Sequence, residues 1–296
     1  MTSDNITIEE AVTFGTGGGR DLKCDIYTPA GVSDATGVLV LYGGGWRIGD
    51  RSRVRDACLS LARRSFVCVA GEYRLTPESA WPAQIHDVKA AIRWMRANAA
   101  RLRINPEKIA LQGHSAGAHL TLLAAGTPDM PEFEGEGGNA GTPSHIAAAA
   151  AIYAPTVFQV GETKVSGAVP ADSLMGAAST QSLADVAAPL TYASAGFPPT
   201  FLLHGTTDRV VPVTASIRMF EALTAARAPV EMHIYPGLPH GFARIPSLQD
   251  QVQSEIADFL RRTVDAPEKL QAEIDEITAQ MAVLRAAPQP AAVPAE

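Results

Sequence analysis

Residues 111–120 read LQGHSAGAHL, and Gly113, His114, Ser115, Ala116 and Gly117 make a Gly-x-Ser-x-Gly pattern within them. Five letters alone say little. Here an apolar, strand-like run precedes them and a helix-forming run follows, which is the strand–elbow–helix context the pattern needs. Such a turn forces an unfavourable backbone conformation on Ser115 and lifts its hydroxyl clear of the chain. Gly113 and Gly117 leave room for neighbours that would collide with side chains. A serine hydroxyl is a poor nucleophile alone; it needs a base, and the base needs an orienting acid. In this architecture the chain order is serine, acid, histidine. The stretch PTFLLHGTTDRVVP places Asp208 in the loop after one apolar strand. MHIYPGLPHGF places His240 beyond a Pro/Gly turn after the next. Ser115, Asp208 and His240 therefore read as nucleophile, acid and base for acyl transfer.

Acyl transfer builds negative charge on a carbonyl oxygen, and amide N–H groups aimed at that oxygen stabilise the transition state. Three consecutive glycines in LYGGGWRIGD (41–50) would be costly in backbone entropy without such a purpose. The amides of Gly44 and Gly45 are assigned as donors, with Ala116 after the nucleophile as the third. The other histidines carry less. His114 sits inside the elbow, so its ring should point away from the hydroxyl. His119 lies one turn along the following helix and should face the core. His204 ends a strand and should support the Asp208 loop. His86, His145 and His233 have no motif around them. No His/Cys/Asp/Glu cluster has metal-ligand spacing, and no cofactor is expected.

These residues need a sheet whose strand ends converge. TGVLVLYGGG, FVCVAGEYR, EKIALQGHS, IAAAAAIYAP, PTFLLHG and VEMHIYP read as strands, the apolar ones buried on both faces. Helical stretches fall between and after them: DRSRVRDACLSLARRS, PAQIHDVKAAIRWMRANAARL, AGAHLTLLAAG, VTASIRMFEALTAAR and SLQDQVQSEIADFLRRTV. In the long second one, Ile85, Val88, Ala91, Ile92 and Met95 fall near one face. NITIEEAVTF and RDLKCDIYTP alternate as an antiparallel leading hairpin turning at residues 16–19. Alternating strand and helix predict the α/β class: a mainly parallel central sheet flanked by helices.

Residues 1–264 are expected to form the main domain. Two excursions interrupt its rhythm. Residues 126–145 are Gly-rich and acidic, and 157–197 are mixed, the latter a candidate small cap. For each, a lid and a surface decoration remain open. Residues 265–287 read as a separate C-terminal helix, with Asp265 as N-cap and Pro267 in the first turn. Leu270, Ile274, Ile277, Met281 and Leu284 recur at steps of 4, 3, 4 and 3, a heptad seam. The seam predicts a homo-oligomer through residues 267–286, with packing on the chain's own domain as the alternative. Residues 288–296 read as a disordered tail.

Of the 296 residues, 46% are apolar and 19% charged, the balance of an ordinary globular protein. The net charge of −7 and the lack of a basic patch argue against a nucleic-acid partner. No apolar run is long enough for a membrane span. The polar, acidic start MTSDNITIEE is not a secretory leader. Cys24, Cys58 and Cys68 are odd in number and lack metal spacing. Together these predict a cytoplasmic protein acting on a small molecule.

The stretches YGGGW, EYRLTPESAWPAQIHDVKAAIRWM, GHSAG, HGTTD and PHGF, spanning 41–242, resemble the α/β-hydrolase carboxylesterases. The resemblance is to the hormone-sensitive-lipase-like and feruloyl/acetyl-xylan-esterase-like groups. It implies the same triad, Asp87 as a structural acid near the elbow, and scaffold roles for Glu72 and Glu78. The chain departs from the family in two places. Tyr42 stands where the glycine loop usually opens with histidine. Only about forty residues precede the first buried strand, too few for a helical N-terminal cap. The resemblance thus implies a small cap, an open pocket and hydrolysis of esters through an acyl-enzyme, and the lack of a long apolar lid helix in the sequence predicts short acyl chains. Two other readings stay open: an arylformamidase or amidase using the same triad, and a non-catalytic binding protein on the same scaffold.

Overall fold

The computed structural model describes residues 5–76, 78–161 and 164–286. The expected tail at 288–296 lies outside the described residues. Strands β1 (Ile6–Gly17) and β2 (Arg20–Pro29) form the antiparallel hairpin, turning through Gly18 and Gly19 at φ of 58° and 78°. The apolar runs then become β3 (Ala35–Leu41), β4 (Val67–Gly71), β5 (Ile104–His114) and β6 (Ala148–Ile152). Two short strands, β7 (Phe158–Gln159) and β8 (Val169–Pro170), pair only with each other. The last long strands are β9 (Thr200–Gly205) and β10 (Val230–Tyr235).

The main sheet has the order β1-β2-β4-β3-β5-β6-β9-β10. From β4 onward every pairing is parallel. Parallel strands need crossovers that cover the faces, so their residues are buried on both sides. Every residue of β4, β6 and β9 is buried accordingly. The crossovers are α1 (Arg55–Ala62), α2 (Ala83–Ala97), α3 (Ala116–Gly126), α4 (Gln181–Ala187) and α5 (Thr214–Ala225). Helix α6 (Pro246–Leu260) follows β10. Ile85, Val88, Ala91, Ile92 and Met95 of α2 are all buried, as their spacing predicts. The predicted helix stops earlier than its apolar pattern: it breaks at Asn98, and a short helix, Ala99–Leu102, ends on left-handed Arg103.

The two excursions differ. Residues 126–145 are fastened to α2 and, through Gly137, to β1. The buried Lys89 ammonium donates to the Thr127 carbonyl, to Ser144 Oγ at 2.9 Å and to Glu134 Oε1 at 3.0 Å. Arg93 pairs with Glu134 at 2.5 Å, and Arg96 donates to the His145 carbonyl at 2.7 Å. This loop decorates a helix. The described part of 157–197 instead carries β7, β8 and α4, and its Val169, Pro170 and Ser173 line the same cavity as Ser115.

Beyond α6, a π-helical turn, Arg261–Asp265, leads into α7 (Pro267–Ala286). Asp265 is not its N-cap. Its carboxylate accepts the Thr36 hydroxyl at 2.5 Å, and its carbonyl accepts Lys108 Nζ at 3.3 Å, which ties it back to the sheet. Residues 267–282 of α7 are exposed, including Leu270, Ile274, Ile277 and Met281. Among the described residues, no helix is long and apolar enough to cross a membrane.

Candidate active site

The elbow forms where β5 runs directly into α3. Ser115 sits at φ 53° and ψ −116°, outside the comfortable regions for a residue with a side chain. Such strain costs about 1–3 kcal/mol and must be held by its surroundings. The Ser115 amide donates to the Ile152 carbonyl, and the Ser115 carbonyl accepts from His119 N, both at 2.9 Å. The flanking glycines are demanded by contact. A Cβ on Gly113 would lie 2.3 Å from the Gly117 carbonyl oxygen. One on Gly117 would lie 2.5 Å and 2.6 Å from the carbonyl oxygens of Leu41 and Tyr42. The elbow helix is therefore seated directly on the end of β3, where the glycine loop begins.

Asp208 follows β9 and His240 follows β10, so adjacent parallel strands deliver both to the end of the sheet where Ser115 stands. His240 Nε2 lies 2.9 Å from Ser115 Oγ, and His240 Nδ1 lies 2.6 Å from Asp208 Oδ2. The carboxylate of Asp208 is sealed from solvent, whereas the His240 side chain keeps 20% of its surface exposed. Burial alone would raise the Asp208 carboxyl. Bonds from His204 and His240 and from the amides of Val211 and Val210 outweigh it and hold the group well below the ordinary carboxylate range. Ionised Asp208 accepts the Nδ1 proton of His240. That leaves Nε2 as the acceptor facing the serine hydroxyl.

Gly43, Gly44 and Gly45 line the same cavity as Ser115 and His240. Gly44 adopts φ 144°, and a Cβ there would lie 1.8 Å from the Ile48 carbonyl oxygen. Its own carbonyl accepts from the amides of Arg47 and Ile48, which curls the loop. Among the described residues, no protein acceptor takes up the amides of Gly44, Gly45 or Ala116. Ala116 is fully buried as the first residue of α3.

The remaining histidines are spent on structure. His114 reaches the Tyr153 hydroxyl through Nδ1 at 3.2 Å and Gln112 through Nε2 at 3.3 Å. His204 bonds to Ser216 Oγ at 2.8 Å and to the Val211 carbonyl at 2.9 Å, bracing the Asp208 loop. His119 Nδ1 accepts the Trp46 indole N–H at 3.2 Å, so its proton is on Nε2, which donates to the Ala187 carbonyl at 2.8 Å. Burial lowers both His114 and His119 to about 4, so both rings are neutral. Asp87, which the resemblance implies is a structural acid, is buried against Arg74 in a paired contact at 2.7 and 2.8 Å. Glu72 and Glu78 hold Arg20 between them. Among the described residues, no group of three or more His, Cys, Asp or Glu could hold a metal.

Two contributors escape a reading of the sequence. Tyr153 follows β6 at φ 44°, and its ring packs against His240 with centroids 4.6 Å apart. An aromatic at the carboxyl end of a buried strand was the available signal. Trp46, with its bond to His119, joins the glycine loop to α3 and, through Ala187, to α4. The cavity over the site has a volume of about 420 Å³. Val169, Pro170 and Ser173 of the 157–197 excursion form part of its wall.

The parallel sheet, the strained serine between strand and helix, and the acid and base on the two following strand ends define an α/β-hydrolase. The chain belongs to the BD-FAE family, whose model matches residues 24–223. It is 34% identical over 212 residues to the probable carboxylic ester hydrolase LipM of Mycobacterium tuberculosis, covering 68% of this chain and 48% of that protein. It is 31% identical over 254 residues to esterase LipQ of the same organism, covering 82% of this chain and 60% of LipQ. The chain thus spans about half to three fifths of the length of these curated relatives. Among solved structures, Thermogutta terrifontis esterase 2 superposes with a TM-score of 0.73 at 27% identity, covering 87% of this chain and 92% of that one. That esterase has also been solved phosphonylated by sarin, and with propionate or butyrate bound.

Proposed function

We propose that the protein is a cofactor-free serine esterase that hydrolyses short-acyl carboxylic esters. The observation carrying this reading is the unbroken hydrogen-bonded chain from Ser115 through His240 to Asp208 at the wall of one cavity. His240 Nε2 takes the hydroxyl proton as Ser115 Oγ attacks the acyl carbon. Asp208 holds the ring in its tautomer and stabilises the imidazolium. The carbonyl oxygen becomes an oxyanion beside the amides of Gly44, Gly45 and Ala116; losing one such donor costs about 2.7–4 kcal/mol. His240 returns the proton to the departing alcohol, and the Ser115 ester forms. Water deprotonated by His240 then attacks that ester, and the acid leaves with Ser115 restored.

The esterase names of the relatives support the reaction class. The short-acyl preference is supported by the modest cavity and by the propionate and butyrate complexes of the Thermogutta esterase. Residues 157–197 act as the small cap, since they supply Val169, Pro170 and Ser173 to the wall.

The deciding experiment replaces Ser115 by Ala and follows p-nitrophenyl acetate. Turnover should fall by about 10⁴-fold or more while the circular dichroism spectrum is unchanged. A fluorophosphonate should add to the native chain once, on Ser115, and leave the variant's mass unaltered. Retained turnover in Ser115→Ala would remove the mechanism.

A homodimer through α7 belongs to the same proposal. An exposed helix of this length is marginal in water unless its apolar stripe is covered. The heptad spacing of Leu270, Ile274, Ile277 and Met281 suits a second copy of the same helix.

A further inference from the structure

The wall of the Ser115 cavity carries two guanidinium groups, and among the described residues lining it there is no carboxylate. Arg53 comes from the turn Arg51–Val54, just after the glycine loop. Arg244 comes from the turn Phe242–Arg244, just after His240. The two residues therefore join the cavity wall from the turn after the glycine loop and from the turn after His240.

Several exposed arginines elsewhere are matched, while Arg47, Arg103, Arg209 and Arg227 have no ion pair among the described residues. Arg20 pairs with Glu72 and Glu78, Arg55 with Glu10, Arg101 with Glu9 and Arg262 with Glu231. The guanidinium groups of Arg53 and Arg244 have no hydrogen bond or ion pair with any described residue, though both lie in a chain of net charge −7. Their charge nevertheless bears on the site. After burial, the next influence on both His114 and Tyr153 is the charge of Arg244, which places it near the aromatic wall behind His240. Asp50 feels Arg53, but its carboxylate is engaged by the hydroxyl and amide of Ser52. A cleft lined by charge of one sign concentrates ligands of the other.

We infer that Arg53 and Arg244 are specificity residues for an ester that bears a second, ionised carboxylate. The inference rests on the esterase reading and narrows its substrate class. A carboxylate can take a guanidinium fork in two parallel hydrogen bonds, which orients the molecule as well as binding it. Both arginines are solvent-exposed, so each should contribute modestly, about two- to fivefold in kcat/KM. The contribution should appear mainly in KM, because the carboxylate is remote from the reacting carbon and is bound alike in ground and transition states.

The test compares matched esters with and without that charge. One arm pairs 4-acetoxybenzoate with its methyl ester, placing the carboxylate on the leaving group. The other pairs monoethyl adipate with diethyl adipate, placing it on the acyl chain. The readout is the charged-to-neutral ratio of kcat/KM, in which general damage to the cavity cancels. The native protein should favour the charged ester about tenfold in one arm, and the preference should shrink as salt is raised. Arg53→Gln with Arg244→Gln should bring that ratio down to about one or below, and the Lys pair, which keeps the charge without the fork, should recover part of it. A ratio at or below one in both native arms, or one untouched by the Gln pair, overturns the inference while esterase activity stands. Failure of the native protein on all four esters would overturn the esterase reading itself.

Discussion

Tyr42 opens the glycine loop with a phenol, and its contacts give that residue a physical meaning. Its hydroxyl donates to the Tyr73 carbonyl at 3.2 Å, and the Tyr73 hydroxyl donates back to the Tyr42 carbonyl at 2.9 Å. The rings stack with centroids 4.5 Å apart and planes 12° from parallel. Burial pushes both phenols above their ordinary range, so both stay protonated donors. The reciprocal pair clamps the chain just before Gly43, and the Tyr42 carbonyl also borders Gly117 of the elbow. A residue that acts by holding backbone should tune rate without reacting. Tyr42→Phe keeps the stack and loses one bond, worth about 1 kcal/mol net. Activity should fall roughly tenfold, in kcat more than KM, if the hydroxyl holds the oxyanion amides in register. Kinetics of Tyr42→Phe, Tyr73→Phe and the double variant check this, with the double expected to lose less than the product of the singles. A loss in Tyr42→Phe matching Ser115→Ala would mean that the phenol takes part in the chemistry.

Between elements, much was legible because local pattern and long-range role coincide. GVLVL and AAAAI are apolar without alternation, and a strand of that kind has no stable place except inside a parallel sheet. Given such a sheet, residues just past strand ends gather at one edge, so Ser115, Asp208 and His240 could be placed before any contact was known. The Trp46–His119–Ala187 connection was not legible in the same way. Its members are 73 and 68 positions apart, and nothing in the residues around His119 announces either partner. The course of residues 126–145 was hidden for the same reason, since it depends on Lys89 and Arg93 reaching Glu134 from another element. The His119 connection carries a pH consequence. Its Nδ1 must accept, so protonation would break the tie between the glycine loop and α3. His114 and His119 are lowered from 6.5 to about 4, so the unfolded chain binds protons more readily than the folded one. Their contribution to stability is complete above about pH 6.5 and is lost as pH falls from there toward 4. By pH 5 each should have given up about 2 kcal/mol. Urea unfolding at pH 7 and pH 5 should therefore show a combined loss of about 4 kcal/mol. A flat profile over that window would mean that these rings are protonated in the folded protein.

At the scale of the whole molecule, α7 is the element without a tertiary reason. Its seam was visible in the sequence, but a seam does not say whether it meets its own domain or another chain. The exposure of residues 267–282 removes packing on the chain's own domain from those options. Leu270, Ile274, Ile277 and Met281 remain 36–57% exposed, aligned along a helix otherwise rich in charge and amide groups. Isolated in water, such a helix forms few stabilising contacts beyond pairs like Gln271 with Asp275. Two copies joined along the seam would cover the stripe of each by the other, and a two-fold arrangement closes without leaving an unsatisfied patch. The active-site elements lie in the sheet domain, so the pairing should not be required for chemistry. Removal of residues 267–296 should convert a dimer to a monomer by light scattering, with ester turnover per chain changed by less than about twofold. Replacing Ile274 and Ile277 by Glu should do the same in the full-length chain, because like charges facing each other across the seam oppose association. A mass unchanged by both manipulations would show that α7 does not join two copies of this protein.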